Sequence, residues 1–252
     1  GDLTLTIDES YVIKGNIEAQ GHLDITAPDI TNEGSVVAKD YISLTATDGD
    51  IVNGKVGGSQ SLSSDSYIYL ESKTGEIKNY GTLSAMGKLT LIAEESIYNF
   101  GQMATNTDLL IQSKQSFYNG SLSGDDVLLF SNQDLSVTVD GNFENYSDVY
   151  GTRSISISGL SSDKATMIKN IGGSLEAGTL IDLKSDHLVN ETKGWDNTDS
   201  FALVTENAKL YTGADKGKVS SSSGNYWWLL FQYSDTNDGV SFVMDKYDFK
   251  TT

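Results

Sequence analysis

A five-residue motif centred on asparagine returns along most of this chain. Four copies are close in sequence: Ile30-Thr31-Asn32-Glu33-Gly34, Ile77-Lys78-Asn79-Tyr80-Gly81, Ile97-Tyr98-Asn99-Phe100-Gly101 and Ile168-Lys169-Asn170-Ile171-Gly172. Looser copies centre on Asn53, Asn119, Asn145 and Asn190, and successive asparagines are 20 to 26 residues apart. A unit this short cannot bury its own apolar side chains, so each unit must stack on its neighbours.

Within each unit the apolar residues alternate with polar ones. From Ile30 to Ala46 the even positions are mostly aliphatic or small, and the odd positions are mostly polar. This period of two is typical of strands, and no stretch longer than a turn shows a helical period. The sequence therefore predicts an all-β solenoid of roughly 20-residue coils, a parallel β-helix. The parity places the asparagines and Leu91 inside and Thr90 outside.

Two further expectations follow from the repeat. The glycine two residues after the asparagine is expected to adopt a positive φ, and the stacked asparagines are expected to hydrogen-bond to the backbone or to each other. Residues 57–65 and 160–164 fall in the longer units and are rich in Gly and Ser, which predicts surface loops.

The charge of the chain excludes several classes of function. It carries 17 Lys and Arg against 35 Asp and Glu, a formal net charge of −18, and Arg153 is the single arginine. Such a chain cannot build the basic face that nucleic acid or an anionic membrane requires. No apolar run approaches the roughly 18 residues of a membrane span, so no membrane insertion is predicted. With no cysteine and two histidines, no metal and no cofactor are predicted.

An enzyme is the main competing class, because β-helices also host enzymes that cleave polysaccharides. Such sites need carboxylates grouped with basic residues. Here Arg153 lies in a predicted turn, and no Gly-x-Ser-x-Gly motif is present. The carboxylates are scattered over outward positions: Asp24, Glu33, Asp40, Glu71 and Glu76. No catalytic residue is therefore predicted, and a glycan-cleaving enzyme remains the less favoured alternative.

The repeat resembles that of filamentous-haemagglutinin-type exoproteins, the large secreted partners of two-partner secretion systems. The shared pattern is Ile-x-Asn-x-Gly-x-aliphatic-x-Ala followed by aliphatic-x-aliphatic-x-Ala, and its clearest copy covers residues 77–93. The resemblance extends over residues 1–192. Several copies depart from it, since Lys55, Ser121, Ser147 and Thr192 replace the glycine.

This resemblance implies a right-handed β-helix that passes through an outer-membrane transporter and is displayed on the surface of a Gram-negative cell. It implies either adhesion or contact-dependent toxin delivery. The chain looks most like the receptor-binding region of contact-dependent growth inhibition proteins of the CdiA type. Its partner would then be an outer-membrane protein or glycolipid of a neighbouring cell. A general adhesin and a passive stalk segment remain alternatives.

Residues 193–252 form a second predicted region, in which the repeat fades. This region has 11 aromatic residues in 60 and all three tryptophans of the chain. The aromatic residues are expected to cap the open end of the solenoid, to form a receptor-binding surface, or to do both, since Trp and Tyr are enriched in binding hot spots. The candidate receptor-binding residues are Trp195, Trp227, Trp228, Phe231 and Tyr233.

A second aromatic feature lies on the repeats. Tyr98 and Tyr118 precede the asparagine in consecutive units, and Tyr80 and Phe100 follow it. Each pair is expected to stack on the outer surface. The stack either stabilises neighbouring strands or provides a contact face for carbohydrate or protein.

Overall fold

The structure is a computed structural model that describes residues 1–120 and 127–191, together with the backbone of residues 209–212 and 240–247. The alternating sequence forms strands along these described residues. The strands of each coil lie on three faces, and every pairing between coils is parallel. No helix occurs among the described residues, so none of them forms a helix that could span a membrane. The chain is a right-handed parallel β-helix, as the repeat and its resemblance predict.

The first face carries the longer strands of each coil. It comprises β1 (Leu3–Thr6), β4 (Leu23–Ala27), β7 (Tyr41–Ala46), β10 (Tyr67–Ser72), β13 (Leu89–Ala93), β16 (Leu109–Ser113), β19 (Asp134–Val139) and β22 (Ser154–Ser158). The second face carries the asparagines. It comprises β2 (Tyr11–Ile13), β5 (Ile30–Asn32), β8 (Ile51–Asn53), β11 (Ile77–Asn79), β14 (Ile97–Asn99), β17 (Phe117–Asn119), β20 (Asn142–Asn145) and β23 (Ala165–Ile171).

The third face closes each coil. It comprises β3 (Asn16–Ala19), β6 (Ser35–Ala38), β9 (Ser61–Ser64), β12 (Thr82–Ala85), β15 (Gln102–Thr105), β18 (Leu128–Ser131), β21 (Asp148–Gly151), β24 (Ser174–Ala177) and β26 (Lys209–Thr212). Two long strands, β25 (Leu180–Glu191) and β27 (Val240–Tyr247), join the first and second faces. The proposed division at residue 192 stays a prediction, although β26 and β27 pair in parallel with β24 and β25.

Side chains of one parity fill the interior. Leu23, Ile42, Ile68 and Leu89 follow one another in register on the first face, and all four are fully buried. Stacking of identical positions thus gives each unit the apolar neighbours that it lacks alone. Leu91 is inside, as expected. Thr90 points outward, but it lies between the adjoining strands β10 and β16 and is only 9 % exposed. The expectation that it is an open surface position is therefore wrong.

The predicted asparagine ladder is confirmed, including its looser copies. Eight asparagines from Asn32 to Asn190 lie in register, and each Nδ2 donates to the Oδ1 of the next asparagine at 2.7–2.9 Å. The spare Nδ2 hydrogen of Asn79 and Asn99 reaches a carbonyl at the start of a third-face strand. Because their donors are paired in this way, the polar side chains can be buried without leaving those groups unsatisfied.

Small residues line the corner where the third face ends. The inward position there is Ala19, Ala38, Ser64, Ala85, Thr105, Ser131, Gly151 and Ala177 in successive coils. Ala38, Ala85 and Ala177, the alanines that follow the asparagine and glycine in the repeat pattern, lie at this crowded corner. Where a hydroxyl replaces alanine it donates to a turn carbonyl, as Ser131 does to Thr107 at 2.7 Å.

Three of the four glycines in the close copies of the repeat have a different role from the one expected. Gly34, Gly81 and Gly101 do not have a positive φ; Gly172 does, at 65°. A Cβ on Gly81 or Gly101 would lie 2.1–2.2 Å from a backbone oxygen of the preceding coil. These glycines therefore allow close approach of two backbones, whereas Gly172 provides the left-handed turn.

We expect Gly101→Ala to lower the free energy of unfolding by about 2–3 kcal/mol, because the new methyl group must displace backbone that pairs between coils. Gly57→Ala is the matched control. Gly57 has a φ of 71° and nothing within 4 Å of an added Cβ, so only conformational strain of about 1 kcal/mol is expected. Urea unfolding of both variants measures the difference. A smaller loss at Gly101 than at Gly57 would contradict steric exclusion.

One of the two predicted loops is shorter than expected. Residues 160–164 form a loop, as predicted. Of residues 57–65, however, Ser61–Ser64 is strand β9, and its Leu62 is fully buried. The strand was not predicted because a segment rich in serine suggests a loop. Its parallel pairing with β6 and β12 nevertheless makes it a strand.

Candidate recognition surface

The five candidate receptor-binding residues of the C-terminal region lie outside the described residues. Trp195, Trp227, Trp228, Phe231 and Tyr233 belong to segments 192–208 and 213–239. Their assignment stays a prediction.

The aromatic residues of the repeats stack as their spacing predicts. The ring centroids of Tyr98 and Tyr118 are 4.9 Å apart with planes within 6°. Tyr80 and Phe100 are 5.2 Å apart, and Phe100 also lies 5.9 Å from Tyr98. The four rings form one continuous half-buried cluster on the outside of the second face. Their role in binding stays a prediction.

Tyr146 lies one coil beyond these four rings, and the sequence analysis did not name it. It follows Asn145 as Tyr80 follows Asn79, and that shared position is the signal that could have found it. Its Oη donates to Glu144 Oε2 at 2.5 Å, and Glu144 is the neighbour of Tyr118 in the sheet. We call Tyr80, Tyr98, Phe100, Tyr118 and Tyr146 the aromatic strip.

Charged groups border the aromatic strip at its N-terminal end. Lys78, the sheet neighbour of Tyr98, places its Nζ 2.9 Å from Asp50 Oδ2 and 2.5 Å from Glu76 Oε2. Burial alone would lower the pKa of Lys78, but the hydrogen bonds to Glu76 and Asp50 raise it above its ordinary value. Tyr98 Oη donates to Glu76 Oε1 at 3.3 Å. An ammonium group is thus held by two carboxylates beside an aromatic ring.

A second stack on the first face was also missed. His22, Tyr41 and Tyr67 precede the first inward residue of their strands, and their rings stack at 4.7 Å with planes within 7°. His22 also lies 3.3 Å from Asp2 Oδ1 through Nδ1. The matching positions before Leu23, Ile42 and Ile68 could have revealed this stack in the sequence.

The single arginine of the chain pairs with carboxylates, and its Nη2 lies 3.9 Å from Asp108 Oδ1. Arg153 is exposed, and its guanidinium makes two contacts with the carboxylate of Asp134, one of them from Nε at 2.6 Å. This pairing lowers the pKa of Asp134. Among the described residues no three His, Asp or Glu side chains are grouped as a metal site would require.

Tyr146 offers a pH test of the strip. The pKa of Tyr146 is raised above its ordinary value, mainly by burial and in second place by the hydrogen bond to Glu144 and the negative charge of Glu144. Below about pH 10 its phenol is neutral in both states. Above that pH the unfolded chain releases the proton first, so the free energy of unfolding should fall. Glu144→Gln should bring the pKa of Tyr146 down, as measured by tyrosinate absorbance against a Tyr146→Phe blank. An unchanged titration would contradict the contact.

Comparison with known proteins agrees with the fold. The Haemagglutinin repeat family model matches residues 1–67, 74–145 and 119–211, which is more than half of the chain. Neither the curated proteins nor the solved structures gave a match. Members of the matched family are typically secreted or surface-exposed, and their repeats form a structural, adhesin-type domain. The chain therefore belongs to the haemagglutinin repeat family and is a filamentous-haemagglutinin-type protein.

Proposed function

We propose that this chain is a recognition segment of a secreted bacterial filamentous exoprotein. In this proposal the β-helix is the scaffold, and residues 193–252 contact an outer-membrane protein or glycolipid on a neighbouring Gram-negative cell. The contact would precede contact-dependent toxin delivery, and export would use an outer-membrane transporter. The observation that carries the proposal is the unbroken parallel pairing from β1 to β25, which is suited to hold a terminal surface away from the cell.

The location of the contact is argued from the difference between the two regions. Repeated coils present similar outward positions many times, which suits a scaffold. A specific partner needs a locally unique surface with aromatic anchors. Residues 193–252 have that composition, and Trp195, Trp227, Trp228, Phe231 and Tyr233 are its proposed anchors.

Attachment of the purified chain to target cells tests this proposal. Trp227→Ala and Trp228→Ala should weaken attachment at least about tenfold if these residues are hot spots. Tyr41→Ala, in the first-face stack, is the control and should leave attachment unchanged. Each variant must keep the thermal midpoint of the parent.

Two outcomes would overturn this proposal. Full attachment by stable variants of all five anchors would exclude the C-terminal surface. Attachment without protection of target cells from contact-dependent inhibition, when the chain is added in excess as a competitor, would favour a general adhesin instead.

A further inference from the structure

Two asparagines of the ladder are followed directly by glycine. They are Asn53 and Asn119, and no other Asn-Gly pair occurs in the sequence. Asparagine is a chemically labile residue. Its deamidation begins when the next peptide nitrogen attacks the side-chain carbonyl carbon, and a following glycine hinders this attack least because it has no Cβ and a freely variable backbone. These two ladder positions are therefore the most reactive asparagines of the chain wherever the backbone is unfolded.

In the folded chain the side-chain amides of both asparagines are held on two sides. Asn53 is only 1 % exposed, and Asn119 is fully buried. Asn53 Nδ2 donates to Asn79 Oδ1 at 2.7 Å, and Asn53 Oδ1 accepts from Asn32 Nδ2 at 2.8 Å. Asn119 Nδ2 donates to Asn145 Oδ1 at 2.8 Å. The nitrogen that must leave during deamidation is thus bonded within the ladder and shielded from water.

The attacking nitrogens are also occupied. The amide of Gly54 donates to the carbonyl of Asn32 at 2.9 Å, and the amide of Gly120 donates to the carbonyl of Asn99 at 2.8 Å. Both glycines have a positive φ, 81° and 82°. This left-handed turn favours glycine, so the fold itself calls for the residue that makes the preceding asparagine labile. Ring closure must break one bond of the ladder and one backbone bond between coils.

We infer that Asn53 and Asn119 are deamidation sites that the folded ladder protects and that unfolding of their coils exposes. At the first site, the nitrogen of Gly54 forms a bond to Cγ of Asn53, the bond from Cγ to Nδ2 breaks, and ammonia leaves with the proton of the glycine amide. Water then opens the succinimide ring and leaves aspartate or isoaspartate. The same steps apply to Asn119 and Gly120, and water is the only other reactant.

The product does not fit the ladder. An aspartate at position 53 places an oxygen where Asn53 Nδ2 now donates to Asn79 Oδ1, so two acceptors meet in a buried site. Isoaspartate also adds one carbon to the main chain, which disrupts the register of β8 with β5 and β11. Unfolding of these coils thereby becomes irreversible. This inference goes beyond the proposed function, because it concerns the coils and not residues 193–252.

Rates of deamidation in the folded and the unfolded chain test the inference. The full chain is incubated at mildly alkaline pH with and without guanidinium chloride, and peptide mass spectrometry follows each asparagine. We expect Asn53 and Asn119 to react at least about tenfold more slowly in the folded chain, because reaction requires opening of the coils. Asn79, which precedes Tyr80, is the internal control and should react at least about tenfold more slowly than Asn53 in guanidinium chloride.

Three results of these rate measurements would overturn the inference. The first is an equal rate at Asn53 in the folded and the unfolded chain. The second is an equal rate at Asn79 and Asn53 in guanidinium chloride. The third concerns Gly120→Ala, which should slow the reaction at Asn119 in the unfolded chain and leave Asn53 unchanged. An unchanged rate at Asn119 would contradict attack by the glycine nitrogen, and this comparison does not require the variant to fold.

The consequence for the ladder is tested with Asn53→Asp, a mimic of one product. Its thermal midpoint should lie below that of the parent at neutral pH. The difference should shrink below about pH 4, because a protonated carboxyl can donate to Asn79 Oδ1 as the amide does. Asn106→Asp, at an exposed position, is the matched control and should match the parent. A parental midpoint for Asn53→Asp at neutral pH would contradict the inference. None of these outcomes bears on attachment through Trp227 and Trp228.

Discussion

Replacing Asn99 by leucine should lower the free energy of unfolding by about 4 kcal/mol. Asn99 is fully buried in the ladder and takes part in four hydrogen bonds. It accepts from Asn79 Nδ2 and from the amide of Gly101, and it donates to Asn119 Oδ1 and to the carbonyl of Leu128. Leucine has a similar volume, so the loss reflects these bonds at about 1 kcal/mol each.

Asn106→Leu provides the control for this prediction. Asn106 is exposed and contacts only Met86 Sδ through its side chain, at 3.7 Å, among the described hydrogen bonds. We expect a change within about 0.5 kcal/mol there. Denaturant unfolding followed by circular dichroism measures both variants. A loss below about 1 kcal/mol at Asn99 would mean that the ladder is not a stabilising network.

Leu91→Ala should cost about 3–4 kcal/mol. Leu91 is fully buried and lies in register between Leu70 and Ile111, so truncation leaves a cavity between two coils that cannot close independently. Thr45→Ala, on the outside of the first face, should change stability by less than about 0.5 kcal/mol. Thr90 does not serve as the control because it is only 9 % exposed. Equal losses at Leu91 and Thr45 in thermal or urea unfolding would contradict the assigned parity.

The fold could be predicted because the repeat constrains it twice, through its length and through its parity. Even the coils at Asn119 and Asn145, where serine replaces the glycine, lie in register with the rest. A single shift by one residue would turn every inward side chain outward, so the alternation determines the register strongly. Local departures from the motif are therefore tolerated.

The features that the sequence did not reveal depend on contacts between coils. The backbone of Gly101 lies close to that of Gly81 because of how one coil stacks on the preceding one. No local sequence pattern encodes the distance between these two backbones. Thr90 is buried for a similar reason, since the strands of the two adjoining coils lie on either side of it. The carboxylate of Glu144 became part of a surface only because Tyr118 lies beside it in the adjoining coil.

The candidate surfaces were predicted to different extents. Stacking of Tyr98 on Tyr118 followed from equal positions in consecutive units. The stack of His22, Tyr41 and Tyr67 obeys the same rule, but it was missed because its residue types differ. The role of the strip stays a prediction, and the C-terminal tryptophans lie outside the described residues.

The regular rise of the coils is the central claim of this account, and distances along one column of the third face test it most directly. Glu18, Ser84 and Glu176 belong to one register column, with three and four coil steps between them. The chain has no cysteine, so pairs of spin labels can be introduced at these sites. At about 4.8 Å per step, backbone separations of about 14, 19 and 34 Å are expected from electron–electron double resonance between the labels. A separation of Glu18 and Glu176 below about 25 Å, or distances that do not grow with the number of coils, would contradict it.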